Sequence, residues 1–308
     1  MDWGKAKNIL IIAFLLVNLF LIYKVFLEDE VPFLQTQIAD EQVIELKEQL
    51  RAHQVIYEGD IPTEIFDASY LVVQNYYMEA VTIAEFFLND YVVERTAEEI
   101  KVEDENTGAT IIQSEKGKTK INIPGGWVPD QERLNDDPIL NREAAQQQVD
   151  ALREKWELPE NLAFYRMYNH SAVDPSKHET NYNFHEDELM TLKYYQEIEE
   201  DTLYGGYMKV HVSESGIVGI EFYFLESMGY MEDSIDVIPA STALLRLLDY
   251  MPDSDEVREI TSIAFGYYTE EYLADEWEAV PVWRFELDEA TQYYINAFTG
   301  ELEDEGGI

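Results

Sequence analysis

The sequence predicts an α+β protein: an N-terminal transmembrane helix, then antiparallel-sheet domains with packed helices. Three observations predict it. Residues 9–27 form an apolar run behind a basic start. The rest of the chain alternates apolar residues at helical spacing with β-branched and aromatic runs. Residues 138–225 and 239–302 also repeat one order of elements, a helix followed by strands.

The apolar run is nineteen residues, Ile9 to Leu27, all Leu, Ile, Val or Phe except Ala13, Asn18, Tyr23 and Lys24. At ~1.5 Å per residue it reaches about 28 Å, close to the ~30 Å of a bilayer's hydrocarbon layer. Lys24 lies near the end, where its stem can lift the charge to the interface. A cleaved leader would need small residues after the apolar core. Tyr23 to Phe33 offers none, so the helix is expected to stay attached. Lys5 and Lys7 favour a cytoplasmic N-terminus over residues 1–8, which leaves the bulk of the chain outside the cell membrane.

With 46% hydrophobic and 13% aromatic residues, the external part can bury a full core. The expected division is one domain over 28–130 and a second over 131–308, the latter made of the two related halves. The net charge is −42, and residues 28–308 hold 18 basic against 62 acidic side chains. Such a surface repels nucleic acid and anionic headgroups. Zero cysteines rule out disulfides and thiolate chemistry.

Ile38, Val43, Leu46 and Leu50 recur at helical spacing behind a possible Asp40 cap. Gln54 to Tyr57 and Tyr70 to Tyr77 read as strands, and Ala80 to Leu88 as a short helix. Thr110 to Ile123, with polar residues at its centre, reads as a β-hairpin. The Pro- and Gly-rich stretch from Pro124 to Pro138 breaks every periodicity and marks the domain boundary. Pro138 can open a helix whose apolar face is Ala145, Val149, Leu152 and Trp156, stopped by Pro159. Strands are expected at Leu162 to Tyr168, Leu192 to Ile198, Tyr207 to Val212 and Ile217 to Leu225. A helix follows from Pro239 to Met251, then strands at Ile260 to Thr269, Val282 to Leu287 and Gln292 to Phe298.

His170, His178 and His185 lie among acidic residues in a polar stretch, Asn169 to Asp187. Their spacings match no tight zinc pair, so solvated loop histidines are expected, with no metal and no cofactor. No nucleophile elbow, phosphate loop or dinucleotide turn is present, and carboxylates are too numerous for any pair to signal catalysis. The chain reads as a non-enzyme. Trp127, Tyr204, Tyr207, Tyr267 and Tyr268 suit either a binding patch or cross-strand packing, and packing is the stronger reading. Asn18 sits at mid-membrane depth, and Phe14, Leu21 and Val25 share its helical face. An amide there suits a hydrogen bond to a neighbouring membrane helix, about 0.6 kcal/mol on average.

The opening Met1 to Ile9, followed by Phe14 to Leu21 with Asn18 inside it, resembles the amino terminus of the YycI (WalI) family. The stretch Gln292 to Glu301 is similar to the closing hairpin of that family and of PepSY-like domains. The resemblance implies a non-enzymatic accessory protein in the cell membrane of a Gram-positive bacterium. With a YycH-type companion it would modulate the WalK sensor histidine kinase of cell-wall homeostasis. It further implies that the anchor helix touches the kinase's membrane helices, which gives Phe14, Asn18, Leu21 and Val25 as the expected contact face. The sign of the effect is not implied. An alternative function is a tethered external PepSY-like module that binds a wall or peptidase component. A metal-dependent wall hydrolase built on the histidine loop ranks last.

Overall fold

The computed structural model describes residues 14, 40–129, 141–156, 158–169, 189–252, 256–287 and 291–307. The anchor run therefore lies outside the described residues apart from Phe14. The histidine stretch does as well, apart from Asn169. Among the described residues no helix is long and apolar enough to cross a membrane.

The chain opens with helix α1 (Asp40–Ala52), which buries Leu46 and Leu50 one turn apart. Short strands β1 (Val55–Ile56) and β2 (Asp67–Ala68) follow, then β3 (Leu71–Asn75). Next comes α2 (Ala80–Phe87) with strands β4 (Val92–Arg95), β5 (Glu99–Asp104), β6 (Ala109–Ser114) and β7 (Thr119–Trp127). Helix α3 (Arg142–Lys155) leads into β8 (Leu162–Asn169), β9 (Met190–Ile198), β10 (Asp201–Ser213) and β11 (Gly216–Tyr223). After β12 (Leu225–Tyr230) and β13 (Ile235–Asp236), α4 (Ala240–Tyr250) precedes β14 (Arg258–Tyr268), β15 (Trp277–Leu287), β16 (Thr291–Asn296) and β17 (Leu302–Gly307).

Three of these groups share one plan. In each, a helix is followed by four strands that pair antiparallel in sequence order: β4 to β7, β8 to β11 and β14 to β17. The groups join within a fifteen-stranded sheet, outer strand β7 against outer strand β11 antiparallel, and the start of inner strand β10 against β14 parallel at Leu203 and Tyr267. The first group, residues 80–127, was not evident in the sequence as a copy. Its outer strand β4 is exposed along its whole length, so no alternation announces it.

Helix α3 starts at Arg142 rather than at Pro138, which lies outside the described residues. The Asn141 side chain accepts from the Ala144 N–H at 2.9 Å, a cap worth about 1 kcal/mol. Ala145, Val149 and Leu152 then fall on one buried stripe. Together with α2 they cover a core on β5 to β11 that includes Ile111, Ile121, Val210 and Phe222. In α2, no residue of the helix supplies a cap. The Gln113 side chain on β6 accepts from the Ala80 N–H at 3.1 Å and donates to the Met78 carbonyl at 2.6 Å. A second core gathers α1 and α4 around Trp283, Phe285 and Ile295.

Several expected boundaries shift: β10 and β15 begin six and five residues earlier than expected, and β7 runs through Pro124 to Trp127. Ile217 to Leu225 is not one strand: Phe224 separates β11 from β12, and β12 leaves to pair with β3. The last expected strand ends at Asn296 instead of Phe298, because the Asn296 side chain accepts from the Phe298 and Thr299 N–H groups and folds a turn into β17.

Strand β10 is the junction on which the site depends. It pairs with β9 at both ends, but the register slips between Leu203 and Tyr207, where Gly205 and Gly206 sit. A Cβ on Gly205 would lie 2.7 Å from the Thr269 carbonyl oxygen, and one on Gly206 would lie 2.2 Å from the Gln196 Oε1. Only bare backbone fits where the middle and C-terminal groups meet.

Candidate functional site

Sheet register assembles a charged row in this acidic chain. Lys193 on β9 stands opposite Lys209 on β10, and Lys209 in turn stands opposite Glu221 on β11. The row extends to Arg166 on β8 at one side and Lys120 on β7 at the other. Two residues along, Tyr195, Tyr207 and Tyr223 form a parallel aromatic row on the same face. Lys193, Lys209, Glu221 and the three tyrosines open into a cleft of about 470 Å³, also lined by Lys116, Lys118, Tyr204, Tyr268 and Tyr294.

Carboxylates share the cleft, but their partners are assigned. Glu221 accepts from the Tyr207 hydroxyl at 2.7 Å and lies 3.5 Å from Lys120 and 3.9 Å from Lys118. Glu271 pairs with Lys118 at 2.9 Å. Glu270 and Asp304 complete the acidic lining. Beside the lysines, buried Glu286 holds Arg166, lies 4.0 Å from Arg284 and accepts from the Tyr165 hydroxyl. Arg284 sits over the Tyr165 and Tyr204 rings at 4.7 and 5.1 Å. Both guanidinium groups are thus committed to structure.

Lys193 and Lys209 are not. Among the described residues neither ammonium lies within ion-pair or hydrogen-bond distance of another group, although Glu221 stands opposite Lys209 across the ladder. Their neighbours are aromatic faces, Lys193 at 4.8 Å from the Tyr195 centroid and Lys209 at 5.6 Å from that of Tyr207. Burial, with the Arg284 charge adding to it, pulls the Lys193 ammonium down to about 7. Burial and then Lys193 itself pull Lys209 down to about 8. Burial pushes the Glu221 carboxyl up, yet Lys209, Lys120 and the Tyr207 hydroxyl outweigh it and hold the group below its usual range. The phenols move the other way, burial taking Tyr204 up to about 12 and Tyr207 and Tyr294 well above their ordinary value. They remain protonated donors at any physiological pH.

The tyrosine wall is held by its own network. The Tyr195 and Tyr294 hydroxyls both donate to Gln292 Oε1 at 2.8 Å, and Gln292 Nε2 donates to Tyr165 at 3.2 Å. Tyr268 stacks on Tyr294 with centroids 4.7 Å apart. The arrangement brings four lysines and a wall of phenol rings into one cleft. It is suited to holding an anionic group against aromatic walls.

Of the aromatics singled out in the sequence, Trp127 packs on Phe86 and Phe87, and Tyr267 packs on Phe265 and Tyr230. Tyr204, Tyr207 and Tyr268 pack and also line the cleft. The five form no single patch. Of the expected helix face, Phe14 is helical and 68% exposed, while Asn18, Leu21 and Val25 lie outside the described residues, as do His170, His178 and His185. His53 Nδ1 donates to the Gln49 carbonyl, 3.0 Å away, and buried His211 meets the Thr191 hydroxyl at 2.7 Å. No cluster of metal-ligating side chains occurs among the described residues.

The lysine pair was missed in the sequence. Its signal was a lysine flanked by apolar and aromatic residues inside each of two strands, Leu192 to Tyr195 and Tyr207 to Val210.

The described residues form an α+β chain of repeated helix-and-meander groups with a cleft lined by lysines and tyrosines. The family described as YycI protein matches residues 34–298, and the chain belongs to it. It is thereby a regulatory accessory protein of the WalK/WalR two-component system. No curated protein matches the chain. Among solved structures, an uncharacterized protein from Eubacterium rectale is similar at a TM-score of 0.51 and 10% identity, covering 82% of this chain and 91% of its own. That likeness supports the fold. YycH from Bacillus subtilis aligns at TM-score 0.42 and 11% identity over 79% of this chain and 52% of its own length. The Bacillus megaterium YpeB C-terminal domain aligns at 0.33 and 13% identity, over 86% and 96%.

Proposed function

We propose that this chain is a single-pass accessory regulator that biases a WalK-type sensor histidine kinase through its membrane helix, together with a YycH-type companion. The observation that carries the reading is the family match over residues 34–298, joined to the apolar run at 9–27 directly before it. The N-terminus lies in the cytoplasm and the sheet outside. Phe14, Asn18, Leu21 and Val25 form the contact face. A helix packed on kinase helices acts only by favouring one of their arrangements over another. A differential of about 1–3 kcal/mol, usual for such coupling, shifts the balance roughly 5 to 150-fold.

The test is co-purification from membranes in mild detergent. The wild-type chain is expected to retain the kinase and its companion, and Asn18→Leu to retain less of the kinase. Equal retention by the two would overturn the contact face. A second reading, a tethered module whose external part binds a wall component, is favoured by the lysine and tyrosine cleft.

A further inference from the structure

The cleft on the β9–β10 face holds two lysines that no carboxylate closes into an ion pair among the described residues: Glu221 faces Lys209 but makes its contacts with Lys118, Lys120 and the Tyr207 hydroxyl. Lys193 and Lys209 are directly opposed across antiparallel strands, a placement that puts their Cβ atoms about 5 Å apart and costs stability for like charges. The other cations of the neighbourhood are engaged: Arg166 and Arg284 by Glu286, Lys118 by Glu271 and Glu221, and Lys116 by the Glu271 carbonyl at 2.8 Å. A chain of 21 basic and 63 acidic residues has partners to spare, yet among the described residues the carboxylate opposite this pair, Glu221, is shared with Lys118 and Lys120.

We propose that the cleft binds a phosphate monoester of a small sugar or polyol, with Lys193 and Lys209 sharing the phosphate. Two flexible ammonium groups with three donors each suit a tetrahedral dianion, whereas a planar carboxylate is best matched by an arginine fork, and both forks here are occupied. The dianion neutralises the pair that the fold leaves opposed. The stacked Tyr268 and Tyr294, with Tyr207 beyond them, offer ring faces for the carbon body of the ligand. The volume of about 470 Å³ falls among small-ligand sites. Long-range repulsion by the acidic surface is screened within about 8 Å at physiological salt, so it slows approach more than it weakens contact at the floor.

This site is independent of the membrane-helix reading, since its residues lie wholly in the external sheet. The test is calorimetric titration of the full chain in detergent with glycerol 1-phosphate. Inorganic phosphate and N-acetylmuramic acid serve as comparison probes. Glycerol 1-phosphate is expected to bind, inorganic phosphate to bind more weakly, and the carboxylate probe more weakly still. Lys193→Met and Lys209→Met are each expected to weaken binding at least tenfold, the loss typical of one charged hydrogen bond, while Lys209→Arg retains most of it. Both methionine variants are expected to melt no lower than wild type, which separates lost binding from lost folding. Absence of binding at about 10 mM probe, a range where even very weak ligands register, would overturn the proposal. So would methionine variants that bind as wild type does, or a carboxylate probe bound as tightly as the phosphate.

Discussion

Lys193 faces Lys209 across a β-ladder with no carboxylate between them, and Lys193 is only 5% exposed. Opposed like charges in a sheet destabilise it, and desolvation adds to the penalty. Nothing in the packing of β9 on β10 calls for two ammonium groups.

Lys193→Met is therefore expected to stabilise the protein by about 1–3 kcal/mol at pH 7. Urea unfolding measures it, and a destabilised variant would show that the charge is compensated in a way this geometry does not contain.

The same residue sets a pH response. Its folded-state value, about 7, lies below its ordinary 10.5, so between these limits the unfolded chain binds more protons. Stability then rises with pH across that window. Lys209, at about 8, acts in the same direction. The charged groups around Lys193, namely Arg166, Arg284, Lys209, Glu221 and Glu286, act on it through that value. Above about 10 the raised tyrosines reverse the trend, because the unfolded chain releases phenolic protons that the folded one keeps. Melting temperature from pH 6.5 to 9.5 should climb in wild type and climb less in Lys193→Met.

Glu286→Gln should do the opposite to stability. It leaves Arg284, and in part Arg166, without a counter-charge beside the tyrosine cluster, a loss of about 3 kcal/mol or more. Chemical denaturation reads the change directly.

Gly205→Ala places a methyl group against the Thr269 carbonyl, where backbone rather than a pliable side chain stands. The expected loss is about 1–3 kcal/mol, visible as a lower melting temperature.

Gln196→Leu removes a side chain that imitates a strand. Its amide donates to the Leu225 carbonyl at 2.8 Å and accepts from the Leu225 N–H at 2.8 Å, closing the start of β12. Orphaning two buried backbone groups should destabilise by about 2 kcal/mol or more, again by urea titration.

The elements themselves were largely legible. Apolar stripes such as Ala145, Val149 and Leu152 and β-branched runs such as Ile121 and Ile123 report burial residue by residue, and burial is what local periodicity encodes. Pairings between distant segments were not. Val55 lies beside Arg258, and Trp277 beside Val73, because cores far apart in sequence close over one another. Strands β4 and β5 escaped notice because β4 has no buried face and β5 opens on an exposed residue. The candidate cleft was hidden for the same reason as the pairings. Lys193 and Lys209 look like ordinary strand residues until register sets them face to face, and no single-strand pattern carries register.

The central claim concerns the segment Ile9 to Leu27, and exchanging it for an unrelated membrane helix of equal length tests it most directly. With the external sheet unchanged, the account predicts that WalR phosphorylation in cells carrying the exchange matches that in cells lacking the protein. Phosphorylation indistinguishable from wild type would contradict it and move the regulatory contact to the external sheet.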